Sequence, residues 1–119
     1  MLRRTPGWWL QTTGVVHTAL GAVLYRDVYA GMGRDKVLAT VPERGDRATA
    51  FWFTAAGTAI FLGGRLLRSA EEHGDGAAQR TAGATLLGVG AVGSAMMPRG
   101  GFWALLAIGG AAVRRGRRL

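Results

Sequence analysis

The stretch WWLQTTGVVHTALGAVLY, Trp8 to Tyr25, contains no Asp, Glu, Lys or Arg. Coiled as a helix, eighteen such residues are just enough to cross the ~30 Å hydrocarbon core of a bilayer. His17 stands at the middle of the run. An ionisable side chain at that depth is costly, so it faces a bundle interior and often marks a site. The same reading extends outward from this stretch. Charge-free segments cover Thr5–Tyr25, Ala48–Gly64, Thr81–Pro98 and Gly100–Val113. The first three have spanning length; the fourth, with fourteen residues, gives only about 21 Å of helix. Arg114 and Arg115 can extend it by snorkelling, or it is a re-entrant or half-buried helix.

The expected fold is therefore an all-α membrane protein. Residues 1–119 form a single domain, a four-transmembrane-helix bundle with spans at about 7–25, 47–68, 80–98 and 101–115. With both termini inside, Arg3, Arg4, Arg65, Arg68, Arg80, Arg114, Arg115, Arg117 and Arg118 fall on the cytoplasmic side. Arg26, Arg34, Lys36, Arg44, Arg47 and Arg99 fall outside. Nine against six favours an N-in, C-in orientation. The first outer loop, 26–47, scatters Val28, Tyr29, Met32, Val37, Leu38 and Val41 among charges. A short interfacial helix suits it, limited by Gly31, Gly33 and Pro42. Asp46 is placed to cap the second span, and Pro98–Gly101 reads as a tight turn joining the last two.

Helices in lipid associate by close backbone approach, so small residues one turn apart predict the packing faces. Candidates are Gly14-Thr18-Ala22, Ala55-Ala59-Gly63, Ala84-Gly88 and Gly90-Ser94. The twenty glycines are thus explained by packing. GVGAVGSA (Gly88–Ala95) lacks the preceding strand and the lysine of a phosphate-binding loop. A basic start before an apolar run also fits a cleaved signal peptide. Gln11, Thr12, Thr13, His17 and the later spans favour an uncleaved first helix.

Net charge is +8, which in a soluble chain suggests nucleic acid. Here the arginines gather at the ends of apolar runs and no nucleic-acid-binding pattern accompanies them, so no nucleic-acid partner is expected. Basic rims favour anionic membrane lipids instead. There is no Cys, which excludes disulfides, thiolate metal sites and Cys nucleophiles. A lone mid-span His makes no haem or metal centre. The Glu71-Glu72-His73-Gly74-Asp75 segment reads as a solvated loop, so neither a metal nor another cofactor is expected. Arg outnumbers Lys fourteen to one, a bias that looks like high-GC bacterial coding.

His17 shares a helical face with Thr13, Gly14 and Gly21. Two readings of it stand. It hydrogen-bonds to Thr54 or Thr58 of the second span as interhelical glue. Or it titrates as an acid or base, or binds a polar group of a ligand. Tyr25, Trp52, Phe53, Met96, Met97, Phe102 and Trp103 map to the outer side, with Glu43 and Arg44 above them. They could line an apolar pocket with a polar mouth, or be an aromatic belt with Met as filler.

Three segments carry a resemblance: GVVHTALGAVLY (Gly14–Tyr25), Glu43-Arg44 with ATAFWFTAAGTAIFLGG (Ala48–Gly64), and MMPRGGFWALL (Met96–Leu106). Through them the chain resembles a family of small bacterial integral membrane proteins of unknown function with four predicted spans. The resemblance implies that fold and a multi-pass place in the bacterial inner (cell) membrane. It singles out His17, Glu43, Arg44, Trp52, Phe102 and Trp103, and it carries no activity.

Three functions remain open. One is a lipophilic small molecule or lipid held by Tyr25, Arg44, Trp52, Thr58, Met97, Phe102 and Trp103. Another is a compact enzyme of isomerase or cyclase type with His17 as acid/base and Glu43 assisting. The third is an accessory subunit that packs on a membrane partner or on its own copies.

Overall fold

The computed structural model describes residues 4–119; Arg3, counted above, lies outside them. Thr5 opens the first helix, its hydroxyl accepting from the Trp8 N–H, and Pro6 occupies the first turn, where a missing N–H costs nothing. Helix α1 runs Pro6–Leu24, and after Tyr25 the chain turns directly into α2, Arg26–Arg34. Helix α3 is Asp46–Glu72, α4 is Gly76–Met96 and α5 is Phe102–Arg117. Among the described residues the fold is all-helical. One helix among the described residues, α3, is long and apolar enough to cross a membrane by itself. Helix α5 has 16 residues, and α1 and α4 dilute their apolar content with Gly, Thr and Gln.

Asp46 is not the cap of α3. Gly45 holds that position with φ +101°, and Asp46 sits in the first turn, where its charge suits the helix dipole. Asp75 does cap α4, accepting from the Ala78 N–H.

The helices pair as two antiparallel hairpins, α1 with α3 and α4 with α5. Both pairs rest on glycines seven residues apart: Gly7, Gly14 and Gly21 on α1, Gly57 and Gly64 on α3, Gly76, Gly83 and Gly90 on α4, Gly109 and Gly116 on α5. A seven-residue recurrence keeps one stripe against its partner along the whole contact. The backbones touch there. A Cβ on Gly14 would lie 2.8 Å from the Gly57 carbonyl oxygen, and one on Gly83 would lie 2.6 Å from that of Gly109.

The packing stripes expected at four-residue spacing are corrected accordingly. Gly14 and Thr18 do face α3, and Gly90 and Ser94 are buried. Ala59, Ala84 and Gly88 are exposed, with open space beside Gly88.

The hairpins meet through Leu10, Leu67, Leu105, Ile108 and Ala112, with Ile60, Ala82, Leu86 and Phe102 packed around them. At one end of the bundle α1 and α4 begin and α3 and α5 finish. Arg68 donates to Gln11 Oε1 at 2.7 Å, the Gly7 N–H donates to Glu71 Oε2 at 2.9 Å, and Arg80 donates to the Gly116 carbonyl at 2.9 Å. Gln79 is fully buried there. The opposite end carries α2 and the 97–101 turn. Tyr29 fastens α2 to α3, donating to the Ala50 carbonyl at 2.8 Å and pairing with the Thr54 hydroxyl. Beyond α2, Lys36, Val37 and Ala39 hold positive φ. Arg47 ties this loop down, donating to Asp35 at 2.6 Å and to the Thr40 carbonyl at 3.0 Å.

Candidate functional site

Glycine packing decides where His17 goes. Gly57 faces α1 so closely that a Cβ there would reach 3.2 Å from His17 Cδ2. The imidazole lies instead over the Phe53 ring, 3.8 Å between centroids and 15° between planes. Tyr25 meets the other side of this group, edge-on to Phe53 at 5.5 Å. His17, Phe53 and Tyr25 thus form one aromatic cluster at the far end of the α1–α3 hairpin.

The expected bond from His17 to Thr54 or Thr58 is absent. Thr54 is taken by Tyr29 and the Ala50 carbonyl, and Thr58 turns back to the Thr54 carbonyl. Thr18, next to His17, donates to the Gly14 carbonyl at 2.9 Å. Helical threonines satisfy themselves on the preceding turn in this way. His17 Nε2 is left buried with no partner. An unsatisfied buried donor or acceptor costs about 1–3 kcal/mol.

The second part of the far end belongs to α4 and α5. Gly88, Val89, Val92, Gly93, Met96, Met97 and Phe102 line an open groove of about 500 Å³ with no polar lining. It continues an apolar stripe of α4. Ala82 and Leu86 pack against the shared core, and the stripe continues one turn on into Val89 and Gly93. Gly93 stays buried under Phe102, but Val89 is 47% and Met96 77% exposed. Phe102 joins the two regions, packing on the Leu10–Leu67 cluster and forming one wall of the groove.

The residues anticipated for a single pocket therefore divide. Met97 and Phe102 line the groove. Trp103 does not line it; it is 57% exposed, with Nε1 donating to the Pro98 carbonyl at 2.7 Å. Tyr25 stays with His17 on the other hairpin, Trp52 is 68% exposed, and Thr58 is exposed. Glu43 and Arg44 are exposed on the loop before α3.

Two buried polar side chains add to this end and to the base. Ser94, one position past the groove residue Gly93, is 7% exposed with its hydroxyl unpartnered. Gln79 is buried with its Oε1 likewise free. The spacing from Gly90 placed Ser94 on a packing face but not its unpartnered hydroxyl, and a lone Gln in an Ala/Gly-rich helix gives no periodic signal, so Gln79 was not legible. Among the described residues no group of three or more His, Asp and Glu could hold a metal ion.

Such a molecule is a small all-helical protein of two glycine-paired hairpins, with an apolar groove at one end and arginines at the other. The chain belongs to DUF6463, a family of unknown function, whose model matches residues 1–119. No curated protein and no solved structure matches it.

Proposed function

We propose that this is a multi-pass membrane protein, its four long helices spanning, that binds a lipophilic small molecule or a lipid chain in the outward-facing groove of α4 and α5. The spanning reading is supported by the separation of charge. Antiparallel pairing sends Arg4, Arg65, Arg68, Arg80 and Arg114–Arg118 to one end, and residues 26–47 with Arg99 to the other. No charged side chain lies on the helices between. The flanks there are apolar: Val15, Val16, Leu20, Phe61, Leu62 and Val92 are all exposed. In water such a surface is an aggregation liability; in lipid it is the expected exterior. The longest dimension, 52 Å, exceeds the ~40–45 Å of a bilayer with its headgroups. The arginine-rich end is the cytoplasmic one by the charge rule.

The observation that carries the binding reading is the wholly apolar groove, an interior stripe left uncovered. A groove of this size and chemistry suits an acyl or isoprenoid chain. The enzyme reading gains less support: Glu43 is exposed on its loop, whereas His17 Nε2 is buried against Phe53.

Native mass spectrometry of the protein released from membranes tests the proposal. The wild type carries a lipophilic adduct, and Val92→Trp, which fills the groove from an exposed position, loses it while melting normally. Equal adduct occupancy in the two proteins would remove the groove from consideration. His17→Phe keeps the adduct if binding is purely apolar and loses it if Nε2 holds the ligand's polar group.

A further inference from the structure

The arginines of the α4–α5 base have no acidic partners. Among the described residues the one ion pair joins Arg47 to Asp35, at the opposite end of the molecule. Two of the three acids at the base are committed to backbone N–H groups. Glu71 accepts from Gly7, and Asp75 accepts from Ala78. Arg80 is turned onto the Gly116 carbonyl and Arg68 onto Gln11. That leaves Arg114, Arg117 and Arg118 exposed and Arg115 half-buried around the last turn of α5.

The helix dipole does not account for four arginines. It presents roughly half a negative charge at a C-terminus, and Arg80 already covers one of the terminal carbonyls. The position of α5 points outward as well. Its 16 residues give about 24 Å of helix, shorter than the ~30 Å hydrocarbon core. Contact between Gly116 and Gly76, where a Cβ would lie 2.7 Å from the partner carbonyl, fixes its last turn beside the first turn of α4. The guanidinium groups are thus held at the level where a short span meets the headgroups.

We infer that the C-terminal turn of α5 is a docking surface for anionic phospholipid headgroups, with Arg114, Arg117 and Arg118 pairing with their phosphate diesters. This rests on the membrane reading above. Guanidinium forks suit phosphate oxygens, and each arginine near an anionic leaflet adds to the attraction. The lipid serves here as the missing counter-charge for α5.

The test uses the full chain in nanodiscs of phosphatidylcholine alone and with 30% phosphatidylglycerol. Wild-type Tm rises by about 5 °C with the anionic lipid, and 0.5 M NaCl removes most of the rise. The variant R114Q/R117Q/R118Q changes only exposed side chains. It melts like wild type in pure phosphatidylcholine and shows no rise with phosphatidylglycerol. Identical wild-type melting in both lipids, or a variant with the full rise, overturns the inference and leaves the membrane reading standing. An equal rise from inorganic phosphate in phosphatidylcholine discs also overturns it, because a free anion is then sufficient. Failure of the protein to enter either disc overturns the membrane reading and this inference together.

Discussion

The two hairpins use one packing device and put it to different ends. In α1–α3 and in α4–α5, glycines seven apart bring backbones into contact, so neither pair depends on large interlocking side chains. Their connections differ. The 97–101 turn joins α4 to α5 directly, whereas α1 and α3 are separated by α2 and the Arg47-tied loop. Their side chains differ too. The first hairpin holds the polar contacts Gln11–Arg68 and Gly7–Glu71 together with the His17–Phe53 stack. The second offers an apolar groove at one end and unpaired arginines at the other. Close backbone packing leaves the outer faces of each helix free, so chemistry can be placed on one hairpin and apolar surface on the other without disturbing either contact.

Substitutions test whether the two hairpins are equivalent. The largest effect is expected from Gly14→Leu and Gly83→Leu, one in each hairpin. A side chain there must push apart two backbones, and each variant should lose about 4 kcal/mol or more, read as failure to unfold cooperatively in denaturant titration. If one hairpin tolerates its leucine, the two contacts are not equivalent. Leu67→Ala acts on the seam between hairpins, where Leu67 is 3% exposed. About 3 kcal/mol should go, and hydrogen exchange should rise at the α3–α4 and α1–α5 contacts ahead of the glycine contacts. Uniform exchange would mean that the hairpins do not act as units.

Tyr29→Phe removes the hydroxyl that holds α2 to Ala50 and Thr54. A loss of about 1 kcal/mol is expected, with faster exchange confined to α2 and residues 35–45. Spread of that effect into α4 or α5 would show that the strap supports both hairpins. The smallest change is Gly110→Ala, in α5 and outside the groove. Nothing lies within 4 Å of the added methyl, so helix propensity alone acts and the variant gains about 0.5–1 kcal/mol. A loss at Gly110 would mean that a partner packs on that face.

Much of the fold is legible along the chain. The apolar runs announced helices at nearly the right places, and the Pro98–Gly101 turn and the short helix after Tyr25 were readable from turn residues and mixed polarity. The glycine contacts were misread in period: small residues recur at both four and seven, and the closest backbone approaches follow the seven-residue set, with Thr18 also facing α3. The candidate site was less legible. Aromatic and Met residues were assigned to the right end, but sequence distance does not tell which hairpin a side chain will face. The lack of a partner for His17 Nε2 depends on what neighbouring threonines do with their hydroxyls.

The sequence alone determined that the chain is helical, that its charges stand apart from its apolar runs, and that His17 lies within one of those runs. Local pattern suffices for this, because helix periodicity and charge spacing are properties of neighbouring residues. Tertiary structure decided the pairing: which glycine stripe is used, that His17 rests on Phe53 rather than a threonine, and that Val89, Val92 and Met96 are left uncovered. Those outcomes turn on the approach of two backbones and on where the hairpins stop touching. Both are set by contacts between residues tens of positions apart.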